Sequence, residues 1–120
     1  MAAKFTEMVL SANDVEALAS FWEAVLGWQR TETTDDGDIE LVDPSGHAPS
    51  LLFEPVPQPK QAQNRLHIDV SPVGCDQSEE LERLLALGAR PVDVGQGEQT
   101  WVVLADPEGN EFCLLRTRVG

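Results

Sequence analysis

An internal repeat constrains this chain more than any other feature of its sequence. A strand-like apolar run, Phe5 to Ala12, leads into an amphipathic stretch, Asp14 to Leu26, that sets Val15, Leu18, Ala19, Trp22 and Leu26 at helical spacing and stops at Gly27. Asp14 is suited to cap the first turn through its carboxylate, and Gly27 to end the helix with positive φ. The same order recurs from Arg65: a strand-like run to Val70, a helical stretch from Ser78 to Leu87 with Leu81, Leu84, Leu85 and Leu87 on one face, and Gly88 to close it. Each half then carries a turn of the same composition, Asp43-Pro44-Ser45-Gly46 and Asp106-Pro107-Glu108-Gly109. In such a turn Pro fixes φ, Gly accepts φ > 0, and Asp bonds the backbone just after it. Gly27 and Gly88 are 61 residues apart and Asp43 and Asp106 are 63 apart, so the landmarks keep register.

The pattern predicts an α+β fold of two βαβββ modules, with module one at about residues 4–56, a linker at 57–63 and module two at about 64–117. The predicted strands are Phe5–Ala12, Gln29–Thr33, Ile39–Asp43 and Ser50–Pro55, then Arg65–Val70, Ala89–Val92, Trp101–Ala105 and Glu111–Arg116. Pro55-Val56-Pro57-Gln58-Pro59-Lys60-Gln61 reads as an extended connector. With 120 residues, 42% of them hydrophobic, each half is too small to bury an adequate core alone, so the chain reads as one domain with its modules joined around a cleft.

Charge narrows the ligands. Twenty-one acidic residues against eight Lys and Arg give a net charge of −13, spread over both halves. Such a field repels phosphate backbones and anionic lipid, which argues against nucleic-acid and membrane partners and leaves small molecules, cationic or metal-bound ones included. The N-terminus has no apolar run of signal-peptide length, which predicts a cytoplasmic protein. Cys75 and Cys113 form no CxxC pair and read as reduced thiols.

Alternation assigns faces. Met8, Leu10 and Ala12 form a helix-facing row and Glu7, Val9 and Ser11 the other; Leu66, Ile68 and Val70 form an apolar row that leaves His67 and Asp69 opposite. Polar residues on the inner side of a curved sheet predict a lined cavity. Trp22 falls on the core stripe, whereas Trp28 and Trp101 begin strands and are candidates to wall a ligand pocket. Asp35-Asp36-Gly37-Asp38 lacks the spacing of a calcium loop and reads as a solvated hairpin turn.

The segments Asp14–Trp22 and Val25-Leu26-Gly27-Trp28, together with Asn64–Val70 and Asp106–Phe112, resemble the signature stretches of the vicinal oxygen chelate superfamily. That superfamily includes glyoxalase I, bleomycin-resistance proteins and extradiol dioxygenases. The resemblance implies a curved mixed sheet around a cleft, commonly a homodimer, and a divalent metal (Zn, Ni, Mn or Fe) or none. Carried over by position, it places candidate metal ligands at Glu7, Glu54, His67 and Cys113, with Glu7 and Glu54 as candidate catalytic carboxylates that move a proton. Cys113 stands where the family usually has Glu, and a soft thiolate favours Zn or Cu(I) over hard ions. Asp69, two residues beyond His67, is suited to orient the imidazole or meet a cationic ligand.

Taken singly, His67 would be a satisfied core histidine, Glu7 an edge carboxylate and Cys113 a small buried hydrophobe. The resemblance therefore supports two functions: a metal-assisted lyase, isomerase or dioxygenase-type enzyme acting on a small oxygenated molecule, and a metal-free protein that binds and sequesters a small molecule of antibiotic type.

Overall fold

The computed structural model describes residues 1–31 and 36–120. The chain divides into two compact units, Met1–Pro59 and Lys60–Gly120. The first contains β1 (Glu7–Ala12), α1 (Val15–Leu26), β2 (Gln29–Arg30), β3 (Ile39–Val42) and β4 (Ser50–Pro55). The second contains β5 (Ile68–Val70), α2 (Gln77–Leu87), β6 (Arg90–Pro91), β7 (Val102–Ala105) and β8 (Glu111–Leu114). Each unit has a four-stranded mixed sheet, ordered β1-β4-β3-β2 and β5-β8-β7-β6. In each, the first strand runs parallel to the last and the remaining pairs are antiparallel. These are the two βαβββ modules the repeat predicts.

Local chemistry explains why the elements begin and end where they do. Asp14 accepts a hydrogen bond from Ala17 N at 3.0 Å, and Asp76 caps α2 in the same way through Glu79 N at 2.9 Å. Gly27 (φ +67°) and Gly88 (φ +115°) close the helices in the left-handed region. The repeated turns also match. Asp43 Oδ1 accepts from Ser45 N and Asp106 Oδ1 from Glu108 N, while the glycine N–H of each turn bonds back to the Asp carbonyl at 2.9 Å.

In module one, α1 buries Leu18, Ala19, Trp22 and Val25 against a sheet face carrying Ile39, Leu41, Leu51 and Phe53. Phe21 and Trp22 meet edge to face at 5.4 Å. Module two departs from the expected apolar stripe. Of the four leucines predicted for the inner face of α2, Leu84 alone is fully buried; Leu85 and Leu87 are exposed and Leu81 is half-buried. Glu80 is buried instead, neutralised by Arg83 through bonds of 2.7 and 2.8 Å.

Several predicted strand bounds shorten. The fifth strand begins at Ile68, so Arg65, Leu66 and His67 precede it and Leu66 is exposed rather than part of an apolar row. The second strand ends at Arg30 among the described residues; Thr33, like Asp35 of the acidic turn, lies outside them. Trp28 and Trp101 each sit just before a strand. Both cysteines are free thiols, and among the described residues no helix is long and apolar enough to cross a membrane.

Candidate functional site

The closing strand of module two puts Glu111, Cys113 and Leu115 on one side of the sheet, while Phe112 and Leu114 are buried on the other. The first row forms part of a cavity of about 370 Å³, walled by Val94, Trp101, Val103 and Leu115 and edged by Gln63, Asn64 and Gln96. β5 pairs with β8 so that Asp69 stands directly beside Cys113. His67, two residues earlier, turns its ring to the same carboxylate, with Nε2 3.1 Å from Asp69 Oδ1. One ligand atom from each of His67, Asp69 and Cys113 lies within 4.8 Å of the others. All three border the cavity.

Electrostatics sets the resting state of this group. Burial pushes the Cys113 thiol up from its ordinary value, and the negative charge and hydrogen bond of Asp69 push it further the same way. Without a cation, the thiol stays protonated. The other cavity carboxylate is differently placed. Glu111 Oε1 accepts from Asn64 N at 2.9 Å and Oε2 from Lys60 Nζ at 3.0 Å. Burial opposes ionisation of Glu111, but those two donors outweigh it and hold the carboxyl below the usual glutamate value.

Glu111 thereby fastens a strap, residues 60–64, along the cavity edge. Asn64 Nδ2 adds a bond to Asn110 Oδ1 at 3.3 Å, and Asn110 is itself anchored on the fully buried Asp106 at 2.9 to 3.1 Å. Sequence reading named neither Glu111 nor Lys60 as a site residue. The available signal was the position of Glu111 two residues before Cys113 on one strand face; Lys60, 51 positions away, had no signal short of the fold.

The sequence-predicted residues therefore fall into two groups. His67, Cys113, Asp69 and Trp101 converge on the module-two cavity. Glu7 and Glu54 lie in module one on adjacent strands but at different heights. Glu7 pairs with Ser50 and Glu54 with Ser11, and the four-residue offset is about 13 Å of strand. Glu54 accepts from Ser11 Oγ at 3.2 Å, and its charge is among the causes that raise the Asp38 carboxyl, after burial and Asp36. Trp28, half-buried, lines neither this cavity nor a module-one recess of about 280 Å³ beside Glu40 and His47.

Module one does not repeat the module-two group. Counted from the last parallel-strand bond (Val56 N to Ala12 O, Leu115 N to Val70 O), the counterparts of His67, Asp69 and Cys113 are Val9, Ser11 and Glu54. Counted from the Asp-Pro turns through the β3–β4 and β7–β8 pairs, they are Glu7, Val9 and Leu52. The two counts differ by two residues because the module-one hairpin is longer.

Paired βαβββ modules with mixed four-stranded sheets define the vicinal oxygen chelate architecture, and solved structures agree. A variant of the fosfomycin resistance protein FosX from Listeria monocytogenes, complexed with Mn(II) and 1S,2S-dihydroxypropylphosphonic acid, superposes with TM-score 0.68 at 15% identity, covering 96% of this chain and 90% of that one. A glyoxalase/bleomycin resistance protein/dioxygenase family enzyme from Burkholderia phytofirmans gives 0.67 at 18%, covering 93% and 97%. A FosX from Mesorhizobium loti gives 0.70 at 14%, covering 96% and 92%. No curated protein matches the chain. Residues 7–115 match the family model described as "Glyoxalase-like domain", and the chain belongs to that family.

Proposed function

We propose that the module-two cavity binds a small molecule and that His67, Asp69 and Cys113 hold a soft divalent cation, zinc above all, at its edge. The observation that carries this reading is the convergence of three ligand atoms within 4.8 Å beside an apolar-walled cavity. At zinc bond lengths, tetrahedral donors stand roughly 3.3–3.8 Å apart, a spacing between the 3.1 Å His67–Asp69 contact and the 4.8 Å limit on the group. Three protein ligands leave a fourth position for a water or a substrate oxygen, the arrangement of catalytic rather than structural zinc. A thiolate in the set selects against the Mn(II) seen with the Listeria FosX variant.

Bound there, the cation would supply Lewis-acid polarisation of a ligand oxygen. The chain's own contributions are separable from it. Asp69 meets the His67 imidazole, Trp101 and the three aliphatic residues supply an apolar wall, and the strap fixes the cavity edge.

Cobalt(II) titration tests it. One equivalent should bind with a thiolate-to-metal charge-transfer band that Cys113→Ser abolishes and His67→Ala weakens at least tenfold. Absence of a stoichiometric site refutes the metal assignment.

A second reading, metal-free binding, rests on the 3.1 Å contact of the His67 ring with Asp69, made without an ion. The group is already internally hydrogen-bonded without an ion, and the same cavity then serves as a receptor.

A further inference from the structure

The charges facing the module-two cavity do not cancel. Among its described lining residues there is no Lys or Arg, and the carboxylates are Glu111 and Asp69. Glu111 has both oxygens occupied and an ammonium 3.0 Å away. Asp69 meets only the His67 ring and the Cys113 thiol, and no Lys or Arg pairs with it among the described residues. Asp69, its side chain 47% exposed, lines the same cavity as Val94, Trp101, Val103 and Leu115, and no Lys or Arg among the described lining residues answers its charge. A carboxylate with no Lys or Arg beside it attracts a cation, and an indole face on the same cavity adds to that attraction.

We propose that the metal-free module-two cavity is a receptor for a small aromatic ammonium compound, its cation on Asp69 and its ring against the wall that includes Trp101. The proposal rests on the reading of this cavity as a small-molecule site. It also sets the chain apart from the bound phosphonate of the Listeria FosX variant, whose charge is opposite. Carboxylates and phosphonates would meet Asp69 with no cation to hold them. Because Asp69 is also a proposed metal ligand, the ammonium compound and a soft divalent ion exclude one another.

Benzylammonium, benzyl alcohol and benzoate share one ring and differ in charge, so they isolate the effect. Binding is followed by saturation-transfer NMR and calorimetry on the full chain at one fixed pH. The expected order is benzylammonium about tenfold tighter than benzyl alcohol, with benzoate weakest. Asp69→Asn should bring the first two to within about threefold, and one equivalent of cobalt(II) should expel benzylammonium from the unmodified chain. Benzoate binding as tightly as benzylammonium, or a preference that survives in Asp69→Asn, overturns the proposal. If cobalt(II) binds and benzylammonium does not, the ligand class falls while the site stands; if neither binds, both fall.

Discussion

Glu111→Gln is the substitution that most directly measures what holds the cavity edge. The Glu111 and Lys60 side chains are 15% and 22% exposed, so this pair lies between a solvated ion pair and a buried one. Gln keeps a neutral carbonyl for Asn64 N–H, weakening that bond, and puts no charge opposite Lys60. Hydrogen bonds to charged groups contribute about 1.5–3 kcal/mol each, and losing one while weakening the other should cost about 1.5–3 kcal/mol in total.

The cost should be local, because residues 60–64 belong to no strand or helix and are fastened by side chains. Hydrogen exchange at the Asn64 amide should therefore speed up about 10- to 100-fold, with core amides of β8 changed far less. A Lys60→Met/Glu111→Gln double-mutant cycle should show coupling of about 1 kcal/mol or more. The pH dependence follows from the sign of the shift. The Glu111 pKa is depressed in the folded chain, so its stabilisation is complete above the unfolded value and disappears as pH falls through the lower folded one. Unchanged Asn64 protection in Glu111→Gln, or strictly additive single effects, would refute the latch.

The Cys113 thiol, pushed up by burial and by Asp69, should react with iodoacetamide at neutral pH at least tenfold more slowly than in urea-unfolded chain, and Asp69→Asn should accelerate it; mass spectrometry of the alkylated peptide reads both. Trp22→Ala, at a side chain 1% exposed, should destabilise module one by about 3–5 kcal/mol in urea denaturation. Asp106→Ala should cost about 2–4 kcal/mol, because the carboxylate accepts from Glu108 N, Asn110 N and Asn110 Nδ2, and should also raise Asn64 exchange through the loosened Asn110. Val9→His with Ser11→Asp would complete a three-ligand group with Glu54, the register partner of Ser11; a second equivalent of cobalt(II) should bind without a thiolate band, as calorimetry and absorption can show.

The fold was legible because its signals are local. Asp14, Gly27, Gly88 and the two Asp-Pro turns each act within a few residues, and the structure places each in the predicted role. Alternation likewise put His67 and Asp69 on one face, since strand periodicity is fixed by the backbone. What could not be read depends on partners far apart in sequence. The strap contact spans 51 positions. The burial of Glu80 in place of Leu85 and Leu87 reflects which part of α2 meets the sheet, and helical spacing alone offers more than one inward face. The role of Asp69 lay between these cases: spacing aligned it with His67, and only the β5–β8 register brought it beside Cys113.

The repeat that specifies the fold also isolates the chemistry. Two modules with the same order of elements, capped helices and turns have the same scaffold requirements, so differences between matched positions are free of that constraint. At those positions module two carries imidazole, carboxylate and thiol, whereas module one offers Val, Ser and Glu by one count and Glu, Val and Leu by the other. Neither set contains imidazole or thiol. The apolar-walled cavity, the Asp69 carboxylate and the fastened strap all occur in the module that carries His67 and Cys113. Within the described residues, the chemistry that distinguishes this chain is therefore concentrated in module two. A ligand selective for its function should be recognised there, by charge at Asp69 and by apolar contact at the Trp101 wall.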